Sequence, residues 1–83
     1  MEQTDVYKSR DIGESSALLS SGVKLLRLEQ DGQFFWFVFE DKNSSAIADK
    51  YWSGDLVVTA KDYNDSYRSL KDRIFARQGG RNG

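Results

Sequence analysis

The side chains that most often carry enzymatic chemistry are absent from this 83-residue chain. It has neither histidine nor cysteine, which removes the usual general base near neutral pH, the thiolate nucleophile and the commonest zinc ligands. Serines are plentiful, as at Ser15, Ser16 and Ser44, but a serine nucleophile needs a base, and only a serine–lysine pair is left. Helix capping and surface placement account for the serines without it. The sequence therefore predicts a protein without enzymatic activity.

Two further patterns concern phosphate and metal binding. Gly79-Gly80-Arg81 has the composition of a phosphate-binding loop, but no predicted helix follows it to offer free backbone N–H groups. The acidic pair Asp62 and Asp65 lacks the dense spacing of a calcium loop. We therefore predict neither a cofactor nor a metal, and we expect one domain at residues 1–78 followed by a flexible tail at residues 79–83.

Turn and capping signals divide the first half of the chain into elements. Residues 5–10 predict a short strand, and Asp11 with Glu14 forms a capping-box pattern for a helix at residues 12–21. Two strand-forming runs, at residues 23–30 and 33–40, flank Asp31-Gly32, which is a strong hairpin signal. A two-residue loop would pair Leu28 with Phe35 and Arg27 with Trp36.

The second half of the chain predicts two helices. One spans residues 44–52 and ends at Ser53-Gly54, residues 56–58 form a brief extended piece, and Thr59 caps a last helix at residues 60–78. Apolar residues at helical spacing mark the buried side of that helix. The chain thus predicts an α+β fold with a small three-stranded, mostly antiparallel sheet, in the order β-α-β-β-α-α. The predicted core comprises Leu19, Leu26, Leu28, Phe35, Phe37, Phe39, Ile47, Tyr67, Leu70 and Ile74.

The strand at residues 33–40 is apolar on both faces, which is typical of a central strand covered on two sides. The face away from the predicted core must be covered by another part of the chain, by a partner protein or second copy, or by a ligand. Arg27 could stack on Trp36, and exposed aromatic rings could also stack on nucleic-acid bases. We predict that this face is an interaction surface made of Val23, Leu25, Arg27, Phe34, Trp36 and Val38.

A basic segment near the C-terminus predicts a second candidate surface, made of Arg73, Arg77 and Arg81. It is the main argument for binding of nucleic acid, although basic residues at a helix C-terminus also simply complement the helix dipole. The formal net charge of −1 does not favour a general nucleic-acid binder. The polar first residues and the short apolar run at residues 34–39 predict a cytoplasmic protein that does not enter membranes.

Four motifs stand out in the chain: the helix end from Ala17 to Leu26, the aromatic strand Phe35 to Asp41, the step Tyr51-Trp52-Ser53-Gly54 and the helix segment Ser69 to Ile74. Together they resemble a family of small domains of unknown function from Gram-positive bacteria and their phages and prophages. The resemblance runs from about Tyr7 to Phe75. The family has no assigned activity, so the resemblance implies a context only: a phage- or prophage-type accessory protein in the bacterial cytoplasm.

Overall fold

The computed structural model describes residues 5–79, which form one three-stranded antiparallel sheet and three helices. The α+β fold predicted from the sequence is confirmed, including the element order β-α-β-β-α-α. The last helix extends through Gly79, one residue beyond its predicted end. The elements are β1 (Val6–Ser9), α1 (Ile12–Ser20), β2 (Leu25–Asp31), β3 (Phe34–Glu40), α2 (Ser44–Ser53) and α3 (Ala60–Gly79).

The sheet has the strand order β1-β3-β2, so β3 lies in the centre as its two apolar faces predict. It pairs antiparallel with both neighbours. The predicted extended piece at residues 56–58 does not join the sheet and lies in the loop between α2 and α3. A central position hides the backbone of the most apolar strand, which at an exposed edge would invite aggregation.

The register of the β2–β3 hairpin differs by two residues from the predicted one. Asp31 pairs with Phe34 and Leu28 with Phe37, so the two-residue loop is Gly32-Gln33 instead of Asp31-Gly32. Gly32 has a φ of 64°, and a glycine with positive φ is what the first central position of a type II′ turn requires. Because the shift is an even number of residues, Leu28 stays on the same face as Phe37.

A β-bulge between Leu25 and Arg27 corrects the predicted faces of β2. Leu25 pairs with Phe39 across the bulge and packs against the core, and Val23 is itself buried in the core. The prediction that Val23 and Leu25 belong to the interaction surface was therefore wrong. Leu26, predicted for the core, falls within the bulge and is only half-buried. An extra residue in one strand reverses the facing of every residue beyond it.

The helices pack on one face of the sheet and enclose the core there. The N-terminal helix contributes Leu18 and α3 contributes Leu70, whereas Ile47 of α2 and the predicted Leu19 pack at the periphery. No helix among residues 5–79 is long and apolar enough to cross a membrane. The central cluster consists of Leu18, Val23, Leu28, Phe37, Phe39 and Leu70.

Candidate functional site

The sheet face opposite the core is the strongest candidate for a functional surface, and we call it the outer face. Strand register places Lys8 of β1 and Arg27 of β2 on either side of Val38, and Glu29 beside Trp36. Side chains on alternate residues of a strand share a face, which adds further members at the hairpin end. The outer face comprises Lys8, Arg10, Arg27, Glu29, Asp31, Phe34, Trp36 and Val38.

An ion-pair network spans the middle of the outer face. The Glu29 carboxylate accepts hydrogen bonds from Lys8 Nζ at 2.9 Å and from Arg27 Nε at 2.8 Å. These bonds, that from Lys8 foremost, hold the pKa of Glu29 below its usual range. Between the two cations Val38 is fully buried, because the aliphatic stems of Lys and Arg can cover apolar surface while their charged ends stay in water. The chain thus covers part of this face with its own charged side chains.

An aromatic–arginine cluster occupies the hairpin end of the outer face. The Arg10 guanidinium carbon lies 4.4 Å from the centroid of the Phe34 ring and 5.3 Å from that of Trp36. The indole N–H of Trp36 donates to an Asp31 carboxylate oxygen at 3.3 Å. These contacts fix the orientation of the rings, yet Phe34 remains 55% exposed. We call Arg10, Phe34 and Trp36 the aromatic–arginine cluster.

The cation of this cluster is a different residue from the one that the sequence predicted. Arg27 faces Val38, two residues away from its predicted partner Trp36, because the hairpin loop starts one residue later than expected. Arg10 instead of Arg27 provides the guanidinium that stacks on Trp36. The available signal was the spacing of Lys8 in β1 and Arg10 just beyond its end, since Lys8 pairs with Val38 on the outer face and residues two apart in an extended segment share a face.

The structure thus divides the predicted site residues among three places. Arg27, Phe34, Trp36 and Val38 lie on the outer face, where Phe34 and Trp36 both contact the Arg10 guanidinium. Val23 and Leu25 are in or against the core. The predicted basic residues Arg73 and Arg77 are exposed on α3, and Arg81 lies outside the described residues.

A buried polar cluster ties β1 to α1 on the core side. The Glu14 carboxylate accepts hydrogen bonds from the Tyr7 hydroxyl at 2.5 Å and from the Ser9 hydroxyl at 2.6 Å. Burial, followed by the hydrogen bond to Glu14, raises the pKa of Tyr7 to about 12. With both carboxylate oxygens engaged by neutral donors, the cluster is suited to holding two elements together.

The same cluster corrects the predicted capping box. The Asp11 side chain caps α1 as predicted, accepting from the Glu14 N–H at 2.8 Å. In a full capping box the Asp11 N–H would donate to the Glu14 carboxylate. Here it donates instead to the Ser9 hydroxyl oxygen at 3.1 Å. Ser9 therefore frees Glu14 to reach Tyr7 instead.

Neither a metal-binding group nor a similarity to a known protein assigns a function to the outer face. Within residues 5–79, no three acidic side chains are grouped so as to hold a metal ion. No protein-family model matches the chain, and no curated protein or solved structure is significantly similar to it. The function is therefore inferred from the geometry of the outer face.

Proposed function

We propose that the chain is a non-enzymatic binding module that acts through protein contacts, and that a partner docks on the outer face. The observation that carries the proposal is the Arg10 guanidinium stacked on both Phe34 and Trp36. Tryptophan and arginine are enriched among the residues that dominate binding energy at protein interfaces. A surface that places them side by side has the chemistry of an interface anchor.

The position of the cluster supports the same conclusion. Phe34 and Trp36 belong to the central strand and pair there with Asp31 and Glu29 of β2, so the sheet fixes the backbone that carries both rings and a partner would meet a rigid surface. Rigid anchors cost less conformational entropy on binding. The ion-pair network of Lys8, Arg27 and Glu29 beside the cluster would form the polar rim that surrounds such anchors.

The resemblance to small phage and prophage domains suggests the setting: an accessory protein in a bacterial cytoplasm whose partner is a host or phage protein. A second copy of the chain is the other candidate occupant. A second copy is less necessary to cover apolar surface than the sequence predicted, because Val23 and Leu25 belong to the core side and charged neighbours cover Val38. Less apolar surface is left on the outer face than the sequence predicted.

Nucleic-acid binding is the second candidate function, and the exposed pair Arg73 and Arg77 on α3 favours it. A protein that neutralises several phosphates binds with a steep dependence on salt. Binding of an oligothymidine that weakens steeply with salt, and that Arg73→Gln with Arg77→Gln abolishes, would establish this role in place of the first.

Affinity capture tests the leading proposal. The wild-type chain, Phe34→Ser and Phe75→Ser are each immobilised and exposed to a lysate of a Gram-positive bacterium. Phe75 is the matched control because it is 72% exposed on α3, in the helical layer on the other side of the sheet. We expect the wild type and Phe75→Ser to retain the same protein and Phe34→Ser to lose it. Equal retention by all three would contradict docking on the outer face.

Self-association is measured on the same proteins by sedimentation velocity. A wild-type species of about twice 9.5 kDa that Phe34→Ser converts to monomer would identify the occupant as a second copy. A wild-type monomer would leave a different protein as the partner.

A further inference from the structure

A second surface lies between the edge strand β2 and the C-terminal half of α3. An open cleft of about 340 Å³ is lined there by Arg27 and Leu28 from the strand and by Arg73, Ala76 and Arg77 from the helix. Arg73 and Arg77 are one helical turn apart, and both are exposed. Three lining residues carry positive charge and none is acidic. The cleft therefore concentrates positive charge on a chain whose formal net charge is −1.

Within residues 5–79, the guanidinium groups of the cleft are only partly engaged by other side chains. Arg73 and Arg77 form no ion pair with any other residue in the described part of the chain. Arg27 uses its Nε for Glu29, which leaves its two terminal nitrogens to face other acceptors. The Arg77 guanidinium carbon lies 5.9 Å from the centroid of the Phe35 ring, so the side chain leans over the end of the sheet. Arginine in such a setting suits bidentate binding of a carboxylate.

We propose that this cleft binds an acidic, extended segment of a partner protein, whose carboxylates pair with Arg73 and Arg77. Strand β2 pairs only with β3 within residues 5–79, so its other edge can offer backbone groups to an extended chain. Leu28 and Ala76 provide an apolar floor between the charges. The cleft shares only Arg27 with the outer face, and the proposal rests on Arg73 and Arg77, so it stands whether or not a partner docks on the outer face.

The surroundings of the cleft favour a peptide over nucleic acid. Along α3 the surface continues into a depression that Arg73 and Ala76 share with Asp65, Arg68, Ser69 and Asp72. The two carboxylates there interrupt the positive charge that a phosphate backbone would follow, whereas a peptide can place neutral or basic residues beside them. No aromatic ring lines the cleft to stack on a base, although stacking supplies much of the affinity for single strands.

Fluorescence anisotropy tests the proposal with probes of defined charge. The first probe is a labelled peptide of alternating Glu and Val, about eight residues long so that it spans the edge of a strand. The second carries Gln at every Glu position, and the third is an oligothymidine of similar length. We expect the Glu peptide to bind at least about tenfold more tightly than the Gln peptide, because charge-assisted hydrogen bonds are the stronger ones.

Two double variants identify the residues responsible. Arg73→Gln with Arg77→Gln should weaken binding of the Glu peptide at least about tenfold. Lys42→Gln with Lys50→Gln removes the same charge from exposed positions elsewhere and should leave binding unchanged. The proposal is overturned if the wild type binds neither peptide, binds both equally, or keeps its affinity in the arginine variant. Tighter binding of the oligothymidine would also overturn it and assign the cleft to nucleic acid.

Discussion

Arg10 and Phe34 are separated by 24 positions in the sequence, yet the guanidinium carbon of one lies 4.4 Å from the ring centroid of the other. The pairing of β1 with β3 brings them together, because Arg10 directly follows Ser9, which pairs with Phe37. The same guanidinium reaches Trp36. One cation thus organises both rings that the outer face presents.

Replacing Arg10 by Gln should uncover the two rings without unfolding the protein. The expected loss in free energy of unfolding is about 0.5 to 1 kcal/mol, the usual size of a cation–π contact near the surface. In a Trp52→Phe background Trp36 is the only tryptophan, and its emission should shift to longer wavelength as water replaces the guanidinium. Arg68→Gln on α3 serves as the control, and an emission maximum that Arg10→Gln leaves unmoved would contradict the stacking.

The Tyr7–Glu14 hydrogen bond should contribute measurably to stability. Removing the hydroxyl in Tyr7→Phe leaves one oxygen of the buried Glu14 carboxylate without its donor, which should cost about 1 to 3 kcal/mol. Urea denaturation measures the change. Tyr67→Phe is the matched control, because within residues 5–79 the Tyr67 hydroxyl forms no hydrogen bond. Its free energy of unfolding should stay within about 0.5 kcal/mol of wild type. Equal effects of the two variants would rule out a specific role for the Tyr7 hydroxyl.

The raised pKa of Tyr7 predicts the direction of a pH dependence. An unfolded tyrosine ionises near pH 10, whereas burial and Glu14 raise the pKa of Tyr7 to about 12. The folded state therefore favours the protonated phenol, so its contribution is fully present below about pH 10 and is lost as the pH rises toward 12. The stability difference between wild type and Tyr7→Phe should be constant from neutral pH to about pH 9 and shrink above it. If the stability difference between wild type and Tyr7→Phe instead grows above about pH 9, the pKa of Tyr7 is not raised in the folded state.

The core assignment predicts very different costs for two phenylalanines on the same strand. Phe37 is 1% exposed and Phe34 is 55% exposed. Phe37→Ala should cost about 3 to 5 kcal/mol, which is comparable with the whole stability of a small domain. Phe34→Ala should cost less than about 1 kcal/mol. Thermal unfolding compares them, and similar melting temperatures for both variants would mean that the two faces of β3 are reversed.

The fold could be predicted from sequence because its signals are local and agree with one another. Two apolar faces place β3 in the centre, Asp11 marks the start of α1, and Gly54 ends α2 with a φ of 86°. The register was missed because Asp31-Gly32 and Gly32-Gln33 are both acceptable two-residue turns. Only the pairing of whole strands decides between them.

The candidate site was predicted less well than the fold, and one irregularity explains much of the difference. The bulge near Leu25 changes the facing of Leu25 and Val23, and a bulge of this kind leaves no distinctive residue in the sequence. The stacking of Arg10 depends on β1, the shortest strand, whose pairing partner the sequence does not specify. Long-range pairings therefore determine which residues meet on the outer face.

The most direct test of the outer face as a docking surface is site-specific photo-crosslinking in living bacterial cells. Benzoylphenylalanine replaces Phe34 in one protein and the exposed Phe75 of α3 in the other, and crosslinked products are identified by mass spectrometry. Our account predicts one dominant product from position 34, either a second copy of the chain or one other protein, and no such product from position 75. Products that are the same from both positions, or the absence of any product from position 34, would contradict it.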